Sequence, residues 1–277
     1  MGAGLHNHEE MNIRQFLFNS AIRADQLLAA SVILKRSPRE AKNIFFPGCS
    51  LMGYNPGYVF AAKRYLEASG YDCGIVSGCC AKPLKLIGSH KTFQRRIDDL
   101  RRHFDAMNAD TVITACQSCY HILKQYDTDR NILSLWPLMA KLGLSETLRD
   151  KFLGLEASIQ DSCTSTPEIF SSVREILKYL GVSVREFPGS RLKCCGGLQT
   201  LTSGDRRLGH ECMIKRAAEA PCSTIISYCA SCRSAMSLDG QHKSIHILDL
   251  IFGDGETSKP GSNLRNRLIT AKMLKEM

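Results

Sequence analysis

Between residues 44 and 252 short apolar runs alternate with amphipathic stretches, and the alternation is written twice. The first round has runs at Ile44-Phe45-Phe46, Gly74-Ile75-Val76, Thr111-Val112-Ile113-Thr114 and Ile132-Leu133-Ser134. The second has Ser158-Ile159-Gln160, Val182-Ser183-Val184, Thr224-Ile225-Ile226-Ser227 and Ile245-His246-Ile247. Such runs read as strands. A helix pattern follows the first strand of each round. In the second it places Ile169, Val173, Ile176, Leu177 and Leu180 at i, i+4, i+7, i+8 and i+11, on one helical face. Asn55-Pro56 and Thr166-Pro167 each supply a cap followed by proline in the first turn, and Gly70 and Gly181 end the helices fourteen positions later. The pattern predicts an α/β protein of two tandem similar domains, each a small mainly parallel sheet flanked by helices, related by internal duplication. The continuous apolar strands suit burial on both faces.

This assigns residues 44–150 to a first domain and 151–253 to a second. Residues 1–43 form an N-terminal helical extension, with a helix over about 12–34 carrying Phe16, Leu17, Ile22, Leu27, Leu28, Val32 and Leu34. It either packs on the first domain or presents a partner-binding face. Residues 254–277 read as a basic C-terminal tail, mobile through Gly261. The stretch 13–34 is not a membrane span: Arg14, Arg23 and Asp25 interrupt it where ~20 apolar residues are needed. No apolar core with a small-residue cleavage site marks an export signal, so the expected compartment is cytoplasmic.

Thiols stay reduced there, and cysteines read as ligands before disulfides. Ten of the thirteen form one five-cysteine pattern used twice: Cys49, Cys79-Cys80 and Cys116-x-x-Cys119, then Cys163, Cys194-Cys195 and Cys229-x-x-Cys232. Equivalents lie 113 to 115 residues apart. All three cysteine loops of each copy follow predicted strands, beyond whose carboxyl ends such sheets build their sites. A structural zinc site takes four ligands, whereas each copy offers five, and adjacent cysteines reach two metals more readily than they chelate one. A Cys79–Cys80 disulfide would be strained, since it needs Cα atoms about 4.4 Å or more apart and trans neighbours sit at about 3.8 Å. The donor set favours iron–sulfur chemistry, with zinc in one copy as the alternative.

Phe46-Pro47-Gly48-Cys49-Ser50, Gly78-Cys79-Cys80-Ala81-Lys82-Pro83, Cys116-Gln117-Ser118-Cys119-Tyr120 and Cys194-Cys195-Gly196-Gly197 resemble the signature stretches of the cysteine-rich CCG domain. That domain occurs twice in the disulfide-reducing component of heterodisulfide reductase and in related components of lactate, glycolate and succinate oxidoreductases. The resemblance implies two noncubane [4Fe-4S] clusters. One would be held by Cys49, Cys79, Cys80, Cys116 and Cys119, the other by Cys163, Cys194, Cys195, Cys229 and Cys232. It further implies an oxidoreductase acting on a small thiol or disulfide bracketed by the clusters. Two features depart from the family: Ala81 stands where the name-giving glycine would be, and Gln160-Asp161-Ser162-Cys163 replaces the common His-Asp-Pro-Cys.

Net charge is +9, and the densest basic run is Lys82, Lys85, Lys91, Arg95, Arg96, Arg101 and Arg102. It reads as a solvated helix face, or as charge that offsets a cluster or docks an acidic electron carrier. Aromatic content of 7% without interleaving among the positives argues against nucleic-acid binding. Cys73, Cys212 and Cys222 read as small buried hydrophobes, His121 and His210 as ordinary histidines that could also donate protons, and Trp136 with Pro137 as closing the first domain's core. The sequence has neither a ferredoxin cysteine run nor a strand-linked G-x-G-x-x-G fingerprint, so electrons would come from a redox partner subunit or a ferredoxin-like electron carrier. A non-catalytic electron-transfer subunit and a zinc-stabilised binding module are the competing classes.

Overall fold

The computed structural model describes residues 13–33, 35, 36, 39–253 and 263–276. Helix α1 (Ile13–Ile33) and a short strand β1 (Lys35–Arg36) precede the repeat. The first half comprises β2 (Asn43–Phe46), α2 (Cys49–Tyr54), α3 (Pro56–Ala68), β3 (Cys73–Ser77), α4 (Lys82–Leu86), α5 (His90–Asp105), β4 (Thr111–Thr114), α6 (Gln117–Tyr126), β5 (Asn131–Ser134) and α7 (Leu135–Leu142). The second comprises β6 (Glu156–Gln160), α8 (Pro167–Tyr179), β7 (Ser183–Glu186), α9 (Gly197–Ser203), α10 (Arg206–Ala217), β8 (Thr224–Ser227), α11 (Ala230–Met236), β9 (Lys243–His246) and α12 (Ile247–Ile251). Helix α13 (Asn263–Met273) follows.

The two sheets repeat one topology, β3-β2-β4-β5 and β7-β6-β8-β9, with every one of these pairings parallel. Strand β1 adds an antiparallel edge beside β3. The helix punctuation is duplicated at the prolines and glycines but not in the caps, because Thr166, at the N-cap of α8, accepts no capping hydrogen bond. Asn55 caps α3 by accepting from the Gly57 N–H at 2.8 Å. Gly70 and Gly181 take φ of 90° and 81°, and the next residue's N–H returns to Leu66 O at 2.9 Å and to Leu177 O at 3.0 Å, the same C-terminal motif in both halves.

Strands β2, β4 and β8 are buried, but β7 is not: Ser183, Arg185 and Glu186 are exposed at the sheet edge, where charge discourages further pairing. Ile247 begins α12 instead of extending β9. The largest apolar cluster joins the halves, uniting Phe45, Leu66, Ile113 and Trp136 with Ile159, Leu177, Ile226 and Leu248. Trp136 therefore does not merely close the first domain. Its ring meets Tyr228 edge-on at 5.9 Å and lies 6.1 Å from His246, both in the second half. Pro137 lies in the first turn of α7.

The chain ends differ from expectation. Part of the tail forms α13, which packs on α2 with Asn266 Nδ2 donating to Gly53 O at 2.9 Å. The segment 254–262, to which the expected mobility applied, lies outside the described residues, as does Leu34. Helix α1 touches both halves: Arg23 Nε donates to Ser89 Oγ at 2.8 Å, and the Arg206 guanidinium lies 5.8 Å from the Phe18 ring. Among the described residues no helix is long and apolar enough to cross a membrane.

Candidate metal centre

Each of the ten cysteines of the repeated pattern lies in a connection or helix start that follows a strand. Cys49 opens α2 after β2, the pair Cys79-Cys80 joins β3 to α4, and Cys116 is the N-cap of α6 with Cys119 in its first turn. Cys163 follows β6, Cys194-Cys195 lies between β7 and α9, and Cys229 caps α11 with Cys232 in its first turn. Parallel register aligns those strand ends, with Phe46 opposite Thr114 and Gln160 opposite Ser227. The halves then bring all ten cysteines to the wall of one cavity of about 250 Å³. None of the thirteen cysteines is disulfide-bonded.

In each half the thiols act electrostatically on one another in the same order, as a chain. In the first it runs Cys49–Cys79–Cys80–Cys119–Cys116, with 3.3 Å between the sulfurs of Cys49 and Cys79. In the second it runs Cys163–Cys194–Cys195–Cys232–Cys229. Each chain favours a first thiolate and opposes the next. Hydrogen bonds from Cys119 and Cys79 lower Cys80 to about 6, and the bond from Cys232 lowers Cys229 to about 7. Cys194 falls far below the usual thiol range through Cys163, Cys195 and the N–H groups of Leu198 and Gly196. Their neighbours are pushed the other way. Cys119 rises through Cys116, Cys80 and burial; Cys163 rises through Cys194 and burial; Cys195 rises to about 12 through its bond to Cys194. Five thiols so placed cannot all ionise without added positive charge, which a metal group supplies.

Among the described residues no group of His, Cys, Asp or Glu is arranged around a single ion. An extended all-sulfur chain fits a larger thiolate-held group such as an iron–sulfur cluster. Gly48 keeps the first chain accessible: at φ 79°, a Cβ there would lie 2.8 Å from Cys116 Cβ and 3.1 Å from Cys119 Sγ.

The family model of the CCG cysteine-rich domain matches twice, over residues 44–124 and 157–237. The chain belongs to this family. An uncharacterized iron–sulfur protein of Methanocaldococcus jannaschii is 23% identical over 248 residues, covering 83% of this chain and 49% of that protein. The chain thus spans about half the length of this curated relative. A hypothetical protein from Helicobacter pylori shares the fold, with a TM-score of 0.59 at 10% identity, over 94% of this chain and 57% of that one.

The glycine of the second CCG motif, Gly196, adopts φ 102°, and Ala81 adopts φ 57° at the matching place. The backbone turn after the paired cysteines is therefore kept although the first copy lacks glycine. Gln160, the other departure, is buried and bonded: it accepts from Arg216 Nε at 2.8 Å and donates to Lys193 O at 3.2 Å, tying β6 to the residue before Cys194. Asp161 beside it receives Arg174 at 2.7 Å and Tyr228 Oη at 3.0 Å.

Of the basic run, only Lys82 lines the cavity. Arg96 and Arg102 pair with Asp99, Arg101 pairs with Asp129, and Lys85 lies 4.9 Å from the Tyr126 ring centroid. Lys82 Nζ donates to Ser118 Oγ at 3.3 Å, and its charge favours the thiolates of Cys163 and Cys229 in the other half, less strongly than Cys194 and Cys232 act on them. Ser50 and Ser231 meet across the halves at 2.7 Å. The sequence signal for Lys82 is its place at the start of α4, one residue beyond the cysteine pair. Arg267, which donates to Cys49 O at 3.1 Å from α13, has no such signal. Cys73 is fully buried, and burial raises it to about 12, whereas Cys212 and Cys222 are half-buried. His121 and His210 are exposed and do not line the cavity.

Proposed function

We propose that this chain is an iron–sulfur oxidoreductase that reduces or forms a disulfide at two [4Fe-4S] clusters, noncubane in type as its resemblance to heterodisulfide reductase implies. The observation that carries the reading is the pair of equivalent five-sulfur chains facing one cavity. The iron–sulfur character of the relative supports it. Such clusters, when bound, supply single electrons and Lewis-acidic iron. Cys49, Cys79, Cys80, Cys116 and Cys119 would hold one group, and Cys163, Cys194, Cys195, Cys229 and Cys232 the other. Pro83, Leu86, Leu198 and Leu201 give the cavity an apolar wall that limits water beside the sulfurs. A substrate disulfide would accept two electrons and two protons, its S–S bond breaking to leave two thiols. The electrons would come from a one-electron carrier protein or partner subunit, and the protons from solvent.

Metal analysis after anaerobic purification tests this first. About eight irons and no zinc per chain are expected for two four-iron clusters; zinc without iron would sink the reading. Cys80→Ser and Cys195→Ser should each lose or convert one cluster, seen as a change in iron content and in the paramagnetic spectrum, with the other cluster kept. Unchanged iron and spectra in both variants would refute the assigned ligand sets.

A further inference from the structure

The geometry points to Tyr228 as a positioning residue of the second metal site: its hydroxyl ties the connection that carries Cys163 to the one that carries Cys229. The inference rests on the assignment of both cysteines to one cluster. Tyr228 directly precedes Cys229 and is fully buried. Its Oη accepts from the Ser162 N–H at 3.2 Å, and Ser162 directly precedes Cys163. One phenol thus joins the residues before two sulfur donors, across 66 positions of sequence. The brace is itself held from outside. Tyr228 Oη donates to Asp161 Oδ1 at 3.0 Å and lies 2.9 Å from Ser165 Oγ. Asp161, 2% exposed, receives both terminal nitrogens of Arg174, at 2.7 and 3.2 Å. Arg174, on α8, also makes two contacts of 2.7 Å with Glu186 on the edge strand β7. A planar guanidinium bound on two sides by carboxylates fixes the aspartate, and the aspartate fixes the phenol.

The first thiol set has other residues at these places. Ala115 precedes Cys116, Gly48 precedes Cys49, and Pro47 stands where the second copy has Asp161. None of the three offers a side-chain hydrogen-bonding atom, so the same link cannot form there. The duplicated cysteines therefore sit in unlike frames, and the second site depends on a hydroxyl that the first does without. Removing that hydroxyl would take a hydrogen bond from the buried Ser162 N–H and another from Asp161, while the ring could keep its edge contact with Trp136. The Cys163 connection would then be free to move relative to Cys229, at the spacing a shared group requires.

The test is the rate at which a chelator removes iron under anaerobic conditions, followed by absorbance, in backgrounds that keep one cluster intact: Cys80→Ser for the second site and Cys195→Ser for the first. Adding Tyr228→Phe should speed iron loss roughly tenfold in Cys80→Ser and leave Cys195→Ser unchanged. At full iron content it should alter the paramagnetic spectrum of the second cluster alone, a change that general loosening of the fold would not confine to one site. Ser162→Ala, which keeps the backbone N–H, should release iron as its parent does. Equal acceleration in both backgrounds, acceleration in neither, or the same acceleration by Ser162→Ala would overturn the inference alone. So would a Tyr228→Phe chain that does not fold, since it would lose iron in both. If Cys80→Ser and Cys195→Ser do not each leave one cluster, the assignment of the ligand sets itself fails.

Discussion

Ala81 and Gly196 occupy equivalent positions yet carry different energetic burdens. A left-handed backbone costs an alanine roughly 1 kcal/mol. The Ala81 methyl is buried, at 2% exposure, against Leu84 and its neighbours, which returns about 0.8 kcal/mol, and alanine also leaves the unfolded chain fewer conformations than glycine. Ala81→Gly should therefore lie within about 1 kcal/mol of wild type. Gly196→Ala has no such compensation, because its Cβ would come 2.6 Å from Met213 Cγ and 2.8 Å from Met213 N, a backbone atom of α10. Displacing α10 should cost about 3 kcal/mol or more and disturb the Cys194-Cys195 turn. Urea midpoints and iron content of the two variants measure this; equal effects at both positions would show that the φ values do not set the difference.

At the scale of elements, α12 depends on one neutral imidazole. His246 caps it, Nδ1 accepting from the Leu248 N–H at 3.2 Å while Asp249 Oδ2 accepts from the His246 N–H at 2.7 Å. Burial and then the Arg233 charge depress His246 to about 3, with Tyr54 and Trp136 closing over the ring. Below pH ~6.5 the unfolded chain takes up a proton that the folded chain refuses, so stability falls with pH by up to about 1.4 kcal/mol per unit until the folded value is reached. Asp249, raised by burial, slopes the other way. Comparison with His246→Asn isolates the histidine, since asparagine keeps a cap acceptor without titrating; its urea midpoint should fall less steeply between pH 6.5 and 5. Parallel slopes would exclude His246 as the source. The cap itself is hidden in the sequence, where Ile245-His246-Ile247 reads as strand, because it requires Asp249 to turn back on the chain. Legibility follows local physics: Asn55-Pro56, Gly70 and Gly181 act through neighbours within a few residues, and the strands before the cysteine loops through their apolar runs. Docking of α13 on α2 through Asn266 and Arg267 is long-range and leaves no periodic signal in a polar tail.

For the whole molecule, the sequence's division into two repeats does not divide the core. The largest cluster passes from Phe45 and Ile113 through Trp136 to Ile159, Leu177 and Ile226, and a buried hydrogen bond of 2.5 Å from Tyr54 Oη to Asp249 Oδ2 crosses the same boundary. Separating the halves would expose this apolar surface at ~25 cal/mol per Å² and take from buried Asp249 the hydrogen bond that Tyr54 donates. It would also part the two thiol sets, which share one cavity only while the halves stay joined. The fold therefore couples site assembly to a single cooperative transition. Trp136, the sole tryptophan, stands at the junction against Tyr228 and His246, so its fluorescence reports the interface while far-UV circular dichroism reports both halves. In urea under anaerobic conditions the two signals should trace coincident transitions. Leu177→Ala, in the shared core at 0% exposure, should shift both together by the equivalent of about 2–5 kcal/mol. A Trp136 transition that precedes the dichroism change, in wild type or in the variant, would show that the halves part before they unfold and that the common core does not bind them into one unit.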